Sequence, residues 1–191
     1  RLTDEKLGWL RKDLATVDKQ TPVFVGMHVP LHKTPTLDDT GRTTTSYNME
    51  DAERFVECLE GYDVNILTGH THYNFNITKS ERLREHNIAA VCATWWWTGH
   101  TDYAGNHICR DGSPGGYKIF EATGSDVRWY YKSIGKDAGY QFRTYDLNEC
   151  LLEKSDFCPS ASDSDFAKYA FGYDRANDNN EVLINVFDWA D

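Results

Sequence analysis

The sequence predicts an α/β fold that becomes β-rich along the chain, and three observations predict it. Leucines spaced by three and four residues alternate near the amino end with short β-branched runs, giving helix, strand, helix, strand. That order requires crossover connections and a parallel strand pair. After residue 72 the periodicity changes from helical to alternating, as in strands with one buried face. Hydrophobic residues make up 40% of the 191 and aromatics 14%, enough to bury a sizeable core and to exclude a disordered chain.

Taken in order, Leu7, Leu10, Leu14 and Val17 fall on one helical face with Trp9 beside it. Thr3 stands at the N-cap and Asp4 and Glu5 in the first turn, so residues 4–17 read as an amphipathic helix. Pro22 opens a strand, Val23-Phe24-Val25-Gly26-Met27-His28, and the Thr-rich segment 33–48 is a loop long enough to be functional. Ala52, Phe55, Val56 and Leu59 give a second helix, ended by Gly61, and 64–67 is the next strand. Further strands are expected at 88–93, 116–122, 127–131 and 141–145, with Thr123-Gly124-Ser125-Asp126 as a hairpin turn. Beyond residue 148 the character shifts to polar, acidic stretches, and 182–187 is the one committed strand. The expected organisation is a domain over 1–148 and the start of a β-rich extension over 149–191.

The net charge of -10 repels a polyphosphate backbone, so no bulk nucleic-acid binding is expected. No run approaches the roughly 18 apolar residues of a membrane span, and the first residues carry no signal-peptide pattern. The start at Arg1, without Met, is expected of an excerpt or a processed product. Five cysteines form no CxxC pair; Cys150 and Cys158 flank a short loop and read equally as a disulfide or as two thiols. Asn76-Ile77-Thr78 fits a glycosylation sequon, a pattern short enough for chance. His86 lies in a charged stretch and is expected to be solvated, as are Asp111 and Lys118, while His32 either faces the pocket or caps its loop.

The chemistry concentrates in Leu67-Thr68-Gly69-His70-Thr71-His72, two imidazoles one residue apart at a strand end, and in His28 at the end of the other apolar run. If the two strands are parallel neighbours, all three rings gather at the carboxyl edge of one sheet, where open α/β sheets bind ligands. Neutral imidazole ligates zinc, iron and manganese-type ions. The candidate metal ligands are therefore His28, His70 and His72.

Gly69-His70-Thr71-His72, with the upstream Gly26-Met27-His28-Val29-Pro30-Leu31, resembles the second half of a calcineurin-like metallophosphoesterase. Ala93 through Trp95, Trp96 and Trp97 to Gly112-Ser113-Pro114-Gly115-Gly116-Tyr117, then Trp129-Tyr130-Tyr131-Lys132, resembles the carboxyl-terminal region of bacterial members. The resemblance implies the second half of a four-layer α/β/β/α sandwich with a mixed sheet. It implies hydrolysis of phosphate mono- or diesters at a binuclear site of two divalent or trivalent ions (Mn, Fe or Zn), with His28 and His70 on one ion and His72 on the other. It also implies a periplasmic or extracellular location.

Three further blocks of that family, DxH, GDxxD and GNH followed by an acid, are not matched. Gly105-Asn106-His107 imitates the third but precedes Ile108 and follows His72, so the general-acid histidine and the bridging aspartates are missing. Three neutral imidazoles leave four positive charges on two dications unbalanced. The expectation is an incomplete catalytic domain with its amino-terminal half supplied in cis or in trans, inactive alone, and self-associating or dependent on another chain. On the substrate side the candidates are Trp95 and Trp97, which share a face if the run is a strand, His100 as a loop contact, and Arg110. Two alternatives stand beside this reading: one Zn²⁺ on the three histidines with water in the fourth position, and a β-rich binding module that uses Trp95 to Trp97 while its histidines are structural.

Overall fold

The computed structural model describes residues 2–96 and 107–188 and is mixed α/β. Helix α1 (Asp4–Leu14) starts where Thr3 accepts the Lys6 N–H at 3.4 Å, and it buries Leu7 and Leu14. The Tyr62 hydroxyl donates to the Leu14 carbonyl at 2.6 Å, satisfying one of the acceptors a helix end leaves open. The helix stops three residues before Val17, which still packs against the same core. Helix α2 (Ala52–Cys58) contributes Ala52, Phe55 and Cys58 to that core, and Gly61 leaves it at φ 81°.

Strands β1 (Pro22–Gly26) and β4 (Asp63–Thr68) are parallel, in register from Pro22↔Asp63 to Gly26↔Leu67. Between them the Thr-rich loop carries a two-residue hairpin of β2 (Thr36–Leu37) and β3 (Thr43–Thr44). β5 (Phe75–Ser80) and β6 (Leu83–Asn87) complete a four-stranded mixed sheet of order β1-β4-β6-β5. Strand alternation assigns its two faces. Val23, Val25, Val64, Ile66 and Leu83 meet α1 and α2 in the apolar core.

The other face is polar and still buried. Asn65, His86 and Asn76, on neighbouring strands β4, β6 and β5, form a row with His86 3.0 Å from each amide. The hairpin of β7 (Gly116–Thr123) and β8 (Asp126–Ser133) lies against this row: Phe120 meets Phe24 and His86, and Trp129 meets His86. Gly124 at φ 62° turns that hairpin over two residues, as expected. Lys118 donates to Asn76 at 2.6 Å and pairs with Asp188 at 2.8 Å. His86 and Lys118 are thus buried, against the expectation of solvated side chains. Burial with Lys118 and Arg84 nearby lowers the His86 pKa to about 3, so the ring is neutral.

The expected strand at 88–93 is also corrected. The strand lies just before it, in β6, and 91–96 is a run of turns with Ala93, Trp95 and Trp96 at φ 48°, 50° and 62°. Strand alternation therefore does not sort the tryptophans. Asn76 of the sequon donates its side-chain N–H to Asp188 at 2.7 Å and is not a free acceptor site. All five cysteines are free thiols.

The described residues up to Gln141, together with Phe187 and Asp188, make one compact unit, and Phe142–Val186 makes a second. The second unit pairs β9 (Phe142–Asp146) antiparallel with β10 (Val182–Val186). It also holds two short helices, α3 (Lys154–Phe157) and α4 (Asp163–Ala170), the latter capped by the Ser162 hydroxyl accepting the Asp165 N–H at 3.1 Å. Among the described residues no helix is long and apolar enough to cross a membrane.

Candidate metal centre

The pairing of β1 and β4 continues past their ends. Met27 N–H donates to the Leu67 carbonyl at 2.9 Å and Gly69 N–H to the His28 carbonyl at 3.1 Å, so the two histidine-bearing loops leave the sheet in register. The second loop is tightly wound. Thr71 N–H donates to the Gly69 carbonyl at 2.8 Å around His70 at φ 70°, a strained γ-turn, and His72 follows at φ 59°. Histidine is among the few side chains that occupy such backbone with some frequency.

These turns bring His70 Nδ1 to 3.1 Å from His28 Nε2, with ring centroids 4.9 Å apart and planes at 75°. Both rings are exposed. Two ligand nitrogens on one ion, each at about 2.0–2.1 Å, are ~2.9 Å apart at a right angle and ~3.3 Å apart at a tetrahedral angle. The separation falls in that range and is also that of a hydrogen bond between the two rings. The His72 ring is held differently: its Nδ1 is hydrogen-bonded to the Ala93 carbonyl, and it stacks on Trp95 at 4.2 Å and 27°. A backbone carbonyl accepting Nδ1–H fixes the tautomer and leaves the Nε2 lone pair for a metal. Among the described residues no group of three or more His, Cys, Asp or Glu is arranged to hold an ion.

β6 supports both loops from below. Glu85, 2% exposed, accepts Leu31 N–H at 2.7 Å, His32 N–H at 3.1 Å, the His32 ring at 2.6 Å and the Thr68 hydroxyl at 3.1 Å. Asn87 donates to the Thr71 hydroxyl at 2.6 Å and the Tyr73 carbonyl at 2.7 Å. His32 thus turns into the protein against Glu85 and Tyr47. Sequence reading missed Glu85 and Asn87. The signal available was their alternation with Leu83 on the face that Ile66 and Ile77 share.

Arg110 is exposed, with its guanidinium 5.0 Å from the Tyr73 ring centroid, and its N–H donates to the His72 carbonyl at 3.3 Å. Asp111 bonds the Ser113 hydroxyl at 3.0 Å, and burial raises its pKa. Trp95 is 47% exposed beside His72. Trp97 and His100 lie outside the described residues. A cleft of about 270 Å³ lined by Val56, Tyr62, Lys79, Arg82 and Leu83 involves no candidate ligand.

The family model described as the C terminal of calcineurin-like phosphoesterase matches residues 85–191, more than half of the chain. The chain belongs to the calcineurin-like phosphoesterase family. No curated protein and no solved structure gives a match. In this calcineurin-like phosphoesterase chain the matched region begins at Glu85 and includes Asn87, Ala93, Trp95 and Arg110, the groups that hold the loops. His28, His70 and His72 precede it.

Proposed function

We propose that the chain supplies the histidine side of a binuclear metal site that hydrolyses phosphate mono- or diesters, with His28 and His70 on one ion and His72 on the other. The observation that carries this is the 3.1 Å approach of His70 Nδ1 to His28 Nε2 at adjoining ends of two parallel strands. Ions held there would supply Lewis acidity toward a phosphoryl oxygen and lower the pKa of a bound water toward about 7.

The chain's own groups have separate tasks. The γ-turn at His70 aims its ring at His28, and the Ala93 carbonyl orients His72. Trp95 offers an exposed aromatic face beside His72 for the non-phosphate part of a substrate. Arg110, on the ring of Tyr73, reaches toward a phosphate. Three imidazoles bring no negative charge, so the acidic ligands come from another segment in cis or in trans, completing the four-layer sandwich. The chain alone then binds metal and turns over poorly. Titration with Mn²⁺ or Zn²⁺, alongside turnover of a nitrophenyl phosphate ester, tests this. Metal binding that is lost in His70→Ala supports it; binding or multiple turnovers that survive His70→Ala refute it.

The exposure of Trp95 and Trp96, 47% and 59%, favours a second reading as an aromatic binding module. Ligand-induced tryptophan fluorescence changes that persist in chelator separate it from the first.

A further inference from the structure

Glu85 is almost wholly buried, and it bonds two backbone N–H groups, the His32 ring and the Thr68 hydroxyl. Its two oxygens divide their work between two loops. Oε2 takes the His32 N–H and the His32 ring, and Oε1 takes the Leu31 N–H and shares the Thr68 hydroxyl, at 3.1 Å, with Asn87 Oδ1 at 3.2 Å. Leu31 and His32 lie three and four residues after His28, and Thr68 two residues before His70. One carboxylate on β6 therefore ties the His28 loop to the strand that launches His70.

We infer that Glu85 is the positioning residue that sets the separation of the His28 and His70 rings, and through it the affinity of the site for its first ion; this rests on the metal reading proposed above. Charge-assisted bonds are shorter and stronger than neutral ones. Replacing one acceptor oxygen by an NH₂ group turns an oxygen that now takes two donors toward them as a donor. Partners beyond the ligand shell typically change metal affinity 10- to 100-fold when lost.

Co²⁺ titration of the full chain, followed by visible absorption and calorimetry with far-UV dichroism as the fold check, tests the inference. Glu85→Gln is expected to weaken Co²⁺ binding about tenfold or more with the dichroism unchanged. Because that change also removes a negative charge and can cost the fold, Thr68→Val and Thr68→Ser form a second, charge-neutral pair. The valine is expected to lose affinity severalfold and the serine, which keeps the hydroxyl, to restore it. Co²⁺ affinity within twofold of the parent in folded Glu85→Gln, or equal affinity in the two Thr68 variants, overturns the inference while leaving the metal reading intact. Equal Co²⁺ binding in the parent and His70→Ala overturns the metal reading, and this inference with it.

Discussion

Lys118 Nζ lies 2.8 Å from Asp188 Oδ1, with the two side chains 0% and 2% exposed. Burial lowers the Lys118 pKa and the Asp188 carboxylate opposes that, so the pair is the condition for a charged lysine inside the unit. Asp188→Ala leaves the ammonium without its counter-ion, and a loss of about 3–5 kcal/mol is expected in denaturant titrations. The double change Lys118→Met with Asp188→Leu removes both charges and is expected to recover most of that loss.

His86 makes stability depend on acid in a defined direction. Its Nδ1 and Nε2 each lie 3.0 Å from an amide oxygen, Asn76 Oδ1 and Asn65 Oδ1, and a neutral ring donates to one of the two. Turning the Asn65 amide over exchanges its oxygen for Nδ2, which otherwise has no partner, and gives the second ring nitrogen a donor. The folded pKa of about 3 lies below the ordinary 6.5, so between these values the unfolded chain binds the extra proton. The contribution is full above about pH 6.5 and is lost as pH falls toward about 3. Urea midpoints across that window are expected to fall less steeply in His86→Gln than in the parent.

The parallel pair and the β7–β8 hairpin were legible because their cores are written in Val, Ile, Tyr and Phe at strand period, and Gly124 marks the turn. β5 and β6 were not. Their buried polar face carries Asn76 and His86, which meet Asn65 of β4, Lys118 of β7 and Asp188, partners 10 to 112 residues away, and polarity in a sequence reads as solvent until the partners are known. The site divides in the same way. His28 and His70 follow recognisable apolar runs, whereas Glu85 stands among Arg82, Arg84 and His86, where its neighbours disguise it as surface.

Gly116 and Gly8 should respond to alanine with opposite signs. A Cβ on Gly116 would stand 2.6 Å from the Lys132 carbonyl and from the Tyr131 hydroxyl, and backbone on one side cannot give way. Gly116→Ala is expected to cost more than about 2 kcal/mol. Gly8, inside α1 with nothing within 4 Å of its absent Cβ, loses only chain entropy. Gly8→Ala is expected to stabilise by about 0.5–1 kcal/mol, and thermal melts of the two variants check both signs.

Trp95 shields one face of His72, stacked at 4.2 Å on a backbone held at φ 50°. Nothing in that stack requires a metal, so the shielding is measurable on the chain alone. Trp95→Ala uncovers the ring while the Ala93 carbonyl still engages Nδ1, leaving Nε2 open to reagent. Acylation of His72 by diethyl pyrocarbonate, followed by peptide mass spectrometry, is expected to run severalfold faster in Trp95→Ala than in the parent. His28 and His70 are already exposed and serve as internal controls. Equal His72 rates would mean that Trp95 spends most of its time off the ring, which would remove it as a fixed aromatic face beside the site and leave Arg110 as the remaining described substrate-side candidate.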